Sequence, residues 1–256
     1  MDTKDFAKAQ GHWILARMGK RVLRPGGKEL TQKLIQSLHI SPKDDIAEFA
    51  PGLGYTAALA LNNKPHSYVG VDADQDAIHM LESKLKNDRV SFKLGNAAET
   101  GLQSDSKDKV YGEAMLTMHA DHRKAEIIRE ASRILKKGGL YAIHEMGLKD
   151  VDENLKNEIQ RDLAMCIKVN ARPLTEKEWT TLLEKEGFKV KAIHNNEMYL
   201  LEWKRIIDDE GWMRTLKITF NILIHGSARK RILEMRRVFH KHQEHINSIV
   251  VIAEKN

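Results

Sequence analysis

The chain has 256 residues, 41% of them hydrophobic, with 42 lysines and arginines against 36 aspartates and glutamates and a net charge of +6. That is enough for one core with embellishments, and a charge excess so small and so evenly spread argues against a nucleic-acid partner. A single cysteine, Cys166, excludes an internal disulfide framework and a cysteine-only zinc site, and it points to a reducing, cytoplasmic setting. The charged start Met1-Asp2-Thr3-Lys4-Asp5 lacks the apolar stretch of a secretory signal, and no run approaches the ~20 apolar residues that span a bilayer.

In chain order, His12-Trp13-Ile14-Leu15-Ala16-Arg17-Met18 opens a segment too apolar to be a tail, with Gly26-Gly27 as its hinge. A helix is expected over 29–38 and a strand over 46–50, followed by the turn Ala50-Pro51-Gly52-Leu53-Gly54 and a helix over 55–62. A second strand, 67–72, ends in Asp72, and Asp74 can cap a helix over 74–86. Strand 89–94 leads to Gly95-Asn96-Ala97, and strand 109–116 leads to His119. A helix over 122–136, ended by Lys137-Gly138-Gly139, precedes strand 139–145, which carries His144-Glu145. Beyond lie the insertion 147–175, a helix opened by the capping box Thr175/Glu178 and closed by Gly187, and strand 188–194. Helical segments over about 203–224 and 228–245 precede a last strand, 249–253. Such alternation implies a parallel sheet with helices on both faces.

The turn after the first strand has a chemical reading. Its small residues let backbone approach a ligand, and the next helix offers unpaired N–H groups to a carboxylate or phosphate. Glu48 would repel a pyrophosphate but accept a hydrogen bond from a ligand ammonium. Asp72, at a strand's carboxyl end, is placed to accept both ribose hydroxyls, and Asn96 can donate to and accept from an adenine edge.

The spaced motifs Glu48 through Gly54, Val71-Asp72, Gly95-Asn96-Ala97 and Arg133-Ile134-Leu135-Lys136-Lys137-Gly138-Gly139 resemble those of the class I S-adenosylmethionine-dependent methyltransferases of the small-molecule type, over residues 30–146. The resemblance implies an α/β, Rossmann-like doubly wound sheet of seven strands, mostly parallel with the last antiparallel. It implies S-adenosyl-L-methionine as cofactor, its methionine part over the glycine turn, with Glu48, Ala50, Gly52, Gly54, Asp72, Ala73, Asn96, Ala97 and Leu116 as the contact set. Two residues depart from the family pattern: Ala50 stands where glycine is usual, and Asn96 where many members have aspartate. Around the cofactor-binding core (29–146), the chain reads as one structural domain with an N-terminal segment that resembles a helical lid (1–28) and, from topology, a cap insertion with its helix (147–187) and the last strands with a two-helix insertion (188–256).

Methyl transfer can run on positioning alone, because the sulfonium leaves without a proton. Should an oxygen or nitrogen acceptor need a base, His119, His144 and Glu145 are the catalytic candidates. His119, His122, His144 and carboxylates 121 and 145 could converge, but no close metal-ligand motif is present, so no metal is expected. The apolar helix 203–224 is expected to pack against the sheet edge, with a pocket, a dimer or a membrane surface as alternatives. The basic segment Arg229–His245 reads as a solvated face, with binding of RNA or an anionic substrate as the alternative.

The expected activity is methyl transfer from S-adenosylmethionine to a small, apolar metabolite, in a chain without a membrane span and compatible with a homo-oligomer. The alternatives are an RNA methyltransferase, an S-adenosylmethionine-binding module without chemistry, and an NAD-dependent oxidoreductase. Gly52-Leu53-Gly54-Tyr55-Thr56-Ala57 satisfies a loose dinucleotide fingerprint, against which Glu48 and the 95–97 motif count.

Overall fold

Eight strands form one sheet in the computed structural model, which describes residue 6 and residues 9–21, 24–198 and 201–256. Residues 1–5, 7–8 and 22–23 of the expected lid lie outside the described residues. The strands are β1 (Asp45–Phe49), β2 (Ser67–Asp72), β3 (Val90–Leu94), β4 (Lys107–Glu113), β5 (Leu135–Leu148), β6 (Leu174–Thr175), β7 (Phe188–Glu197) and β8 (Ile246–Lys255). Their order is β3-β2-β1-β4-β5-β8-β7, with β6 paired to β5. β1 to β5 run parallel, and β8 lies antiparallel to both β5 and β7. The two-residue β6 raises the expected seven strands to eight; an element so short leaves no period in a sequence.

Both faces of the sheet are covered, which is why Ile46, Ala47, Glu48 and Phe49 are all buried. On one face Leu30, Leu34, Ala57, Ile78 and Leu81 pack over Ile46, Tyr68 and Val90. On the other, Ile127, Ile128, Ala131, Trp179 and Leu183 pack over Ala47, Phe49, Val69 and Val110. A third cluster holds Ile14, Leu15 and Met18 against Met146, Ile159, Leu163, Ile218, Met235 and Phe239, so the N-terminal segment and both insertions share a core. Strand order reverses between β1 and β4, and the crevice beyond those carboxyl ends is the ligand position of open α/β sheets.

Several boundaries differ from expectation. The helix Asp121–Ile134 stops early because Leu135 pairs with Lys107, and Gly138, at φ +75°, turns the chain within β5 instead of ending a helix. β4 ends at Glu113, since Ala114 adopts φ +53°. Gly211, at φ +78°, splits the expected helix 203–224 into Trp203–Glu210 and Trp212–Ile224, and the next runs Gly226–Lys241. The caps are present: Asp74 accepts from the amides of Asp76 and Ala77, and Thr175 with Glu178 closes a capping box. Trp212–Ile224 does not bury its apolar face against the sheet edge; Ile218 packs in the third cluster, while Trp212 and Met213 remain exposed. Among the described residues no helix is long and apolar enough to cross a membrane.

Candidate active site

A cavity of about 520 Å³ opens beyond the carboxyl ends of β1, β2 and β3. Its floor includes Ala50, Pro51, Gly52, Asp72, Ala73, Asn96 and Ala97. Asp72 braces the glycine turn, accepting from the Gly52 amide at 2.9 Å and, through its other oxygen, from the Asp74 amide at 3.0 Å. Ala50 sits at φ +53°, a left-handed conformation that costs a Cβ-bearing residue about 1 kcal/mol. A glycine at this position would carry no such cost.

Three expected cofactor contacts lie elsewhere. Glu48 does not line the cavity: its carboxylate is buried between strands, accepting from Tyr111 Oη at 2.8 Å and from Tyr68 Oη. Burial pushes its carboxyl up to about 7, outweighing the two tyrosine hydrogen bonds. Gly54 caps helix Tyr55–Leu61 from the core side, where a Cβ would meet Leu81 Cδ2 at 2.5 Å. Leu116 is buried in the core, and its neighbours Met115 and Met118 face the cavity instead.

The catalytic candidates separate in the same way. His144 is fully buried, with Nε2 donating to the Pro25 carbonyl at 2.6 Å and Nδ1 2.6 Å from Glu113 Oε1, so neither nitrogen is free for a substrate proton. Glu145 accepts from the amides of Met115, Leu116 and Thr117 and from Thr117 Oγ1, all within 3.0 Å, which makes it the anchor of that loop. Burial raises its pKa against those bonds. His119 does line the cavity, and burial first, then the charges of Arg123 and Lys124, lower its pKa and favour the neutral imidazole. His144 and Glu145 are engaged as described and His122 is exposed, so these histidines and carboxylates do not converge on one point. The described group with metal-ligand spacing is Glu158, Asp162 and His242, and there Lys241 Nζ donates to both carboxylates.

The roof comes from Gln10, His12, Trp13, Arg21 and Arg24. Arg24 reaches down to Glu113 Oε2 at 2.7 Å, with its guanidinium over the Tyr55 ring. Thr31, Thr56 and His144 also bind Glu113. Burial pushes the Glu113 carboxyl up, but the Arg24 charge and the His144 bond prevail and hold it at about 2. His12 lines the cavity as well, its pKa lowered by burial. Sequence reading passed over His12 and Arg24; the only signal was the apolar character of the segment that carries them.

A second, apolar hollow of about 60 Å³ adjoins the first, sharing His12, Ala114, Met118 and Val169 as walls. Met146, Met198, Met235 and Phe239 complete much of its lining, with Ile167 and Ala171 from the first insertion.

With this geometry in view, the family model of the methyltransferase domain matches residues 47–143. A Haemophilus influenzae protein of undescribed function is 32% identical over 250 residues, 96% of this chain and 98% of its own length. The phosphoethanolamine N-methyltransferase of Plasmodium falciparum is 21% identical over 222 residues, covering 78% of this chain and 82% of the relative. In fold, the S-adenosylmethionine-dependent methyltransferase from Geobacter sulfurreducens, solved in complex with S-adenosylhomocysteine, superposes at TM-score 0.70 with 14% identity over 96% of this chain and 98% of that one. Residues 47–143 thus carry a methyltransferase domain, and the chain has the fold of the S-adenosylmethionine-dependent methyltransferases.

The residues present fit that methyltransferase cofactor. Asp72 spends one lone pair of each oxygen on backbone amides and keeps acceptor capacity on the cavity it lines. A Cβ built on Gly52 meets nothing nearer than Ala50 O at 3.9 Å, so the turn presents bare backbone to a ligand. The 520 Å³ volume lies within the range of cofactor sites.

Proposed function

We propose that this methyltransferase moves the methyl group of S-adenosylmethionine to a small acceptor with an apolar body. What carries this is the shared wall: a donor seated on Asp72 and an acceptor seated among the methionines are neighbours across His12, Ala114, Met118 and Val169. When bound, the cofactor supplies an electrophilic methyl on a cationic sulfur. Asp72 would hold the ribose hydroxyls, Asn96 and Ala97 the adenine, and the bare backbone of Gly52 the amino-acid part. His119, kept neutral by its surroundings, would accept the proton from the acceptor's oxygen or nitrogen, with His12 facing the same space. Residues 10–21 with Arg24 act as a lid that excludes water, hinged at Gly26 and Gly27, whose φ values of +68° and +64° suit glycine.

The test is turnover at saturating cofactor over a panel of small phenols, alcohols and amines, comparing wild type with His119→Ala and His12→Ala. A fall in kcat of about 10²–10⁴-fold in His119→Ala, with cofactor affinity unchanged, supports the base. Unchanged kcat in both variants removes it and leaves positioning alone. Phosphoethanolamine belongs in the panel as a second reading: the Plasmodium relative is named for it, and Arg21 at the rim of the cavity suits a phosphate.

A further inference from the structure

Helix Trp212–Ile224 turns its more apolar side outward. Trp212 is 64% exposed, Met213 85%, Leu216 55%, Phe220 61%, Leu223 58% and Ile224 59%. These positions recur at helical spacing and form one stripe. The inner side is secured by buried Thr215 and Ile218, by Asn221 Nδ2 donating to Met18 O at 2.9 Å and by Arg214 donating to Gly19 O at 3.1 Å. The helix is thus held in place without its outer stripe, and that stripe serves something other than the fold of this chain.

Charge selects what covers it. From Trp212 to Leu233 the sequence contains Arg214, Lys217, Arg229, Lys230 and Arg231, and no aspartate or glutamate. Lys217 is exposed on the same helix, and Arg229 and Lys230 are exposed at the start of the next, near Leu233, itself 53% exposed. A second copy of the chain seated here about a two-fold axis would set these cations against their equivalents. An anionic phospholipid surface satisfies both parts, acyl chains receiving the aromatic and aliphatic stripe and phosphates receiving the lysines and arginines. At 13 residues, about 20 Å, the helix is too short to span a bilayer and long enough to lie in its interface.

We infer that Trp212–Ile224, with the first turn of Gly226–Lys241, is a docking surface for anionic membranes. The surface lies outside both cavities, and the inference stands or falls independently of the methyl-transfer reading.

The experiment is co-sedimentation of the full chain with phosphatidylcholine vesicles and with vesicles in which about a quarter of the lipid is phosphatidylglycerol. Binding is expected to the mixed vesicles, weakening with salt and far lower on neutral lipid. The double variant M213Q/F220Q is expected to lose binding about tenfold or more, and K217E/K230E to lose it on mixed vesicles. All four side chains are exposed or charged, so melting temperatures should match wild type, and docking should shift tryptophan emission to the blue in wild type but not in Trp212→Phe. The inference is overturned if wild type ignores both vesicles, if it binds neutral lipid equally well, or if M213Q/F220Q binds undiminished. Light scattering that shows a dimer dissociated by the same replacements would give the face to a second copy instead.

Discussion

The floor of the large cavity is made by turns at the ends of adjacent parallel strands, tied by main-chain bonds such as Gly95 N to Asp72 O and by the Asp72 brace on Gly52. Its roof is made by residues 10–21 and Arg24 and is tied by side chains from far along the chain, among them Asn221 to Met18 O and the Lys20–Asp209 ion pair. Sheet register places every group of the floor at once, whereas the roof depends on a handful of separate long-range contacts. The two halves should therefore fail separately, cofactor affinity with the floor and closure with the roof.

The largest effect is expected where the halves meet. Glu113→Ala leaves Arg24 and His144 without their shared carboxylate and should lower unfolding free energy by about 3–5 kcal/mol in denaturant titration. Loss of that size would mark the junction as the structural weak point of the site; a small loss would mean that roof and floor are not joined there. Asp72→Ala should act on the floor alone, weakening S-adenosylmethionine and S-adenosylhomocysteine binding by about 100-fold, roughly 3 kcal/mol, in calorimetric titration. Equal weakening by a roof substitution such as Trp13→Ala would erase the distinction.

Beneath the floor, Glu48 sharpens the comparison through pH. The folded chain keeps a proton on this carboxyl that the unfolded chain releases between about 4.5 and 7, so its contribution to stability is full below about 4.5, declines as pH rises through that window and is constant above it. Glu48→Gln, which keeps an oxygen for the two tyrosines, should flatten this slope and gain on the order of 2–3 kcal/mol over wild type at pH 8. An unchanged slope would show that Glu48 is ionised when folded. The smallest effect is a control away from both halves: Thr175→Ala removes a capping-box hydroxyl and should cost about 1 kcal/mol without altering cofactor affinity or turnover.

How much of this was legible follows the same division. Ala50, Gly52, Asp72, Ala73, Asn96 and Ala97 belong to turns a few residues long, so spacing along the chain sufficed to bring them together. Glu48 carried the right chemistry, but which partner a strand carboxylate meets is decided by the neighbouring strand; Tyr111 stands opposite it in register on β4. His144 was a candidate base for want of the same information, since Glu113 is its register partner. Leu116 faces the core while Met115 and Met118 face the cavity, because β4 ends earlier than its apolar run suggests. The roof gave no local sign of its geometry, being defined by pairs separated by 189 and 203 positions. On Trp212–Ile224 the count of apolar residues suggested packing, while the lack of any acid from 212 to 233 was the clue to an outward face.

The wall between the two cavities is built from side chains and not from a strand or helix axis, with Met118 and Val169 contributing to both sides. Methionine is unbranched and adaptable, so such a partition yields to a change of one or two residues without disturbing the sheet. On the function proposed above, donor recognition in the turns and acceptor choice at that wall can consequently drift at different rates over evolution. A lineage with this architecture can acquire a new acceptor while Asp72 and the glycine turn stay as they are.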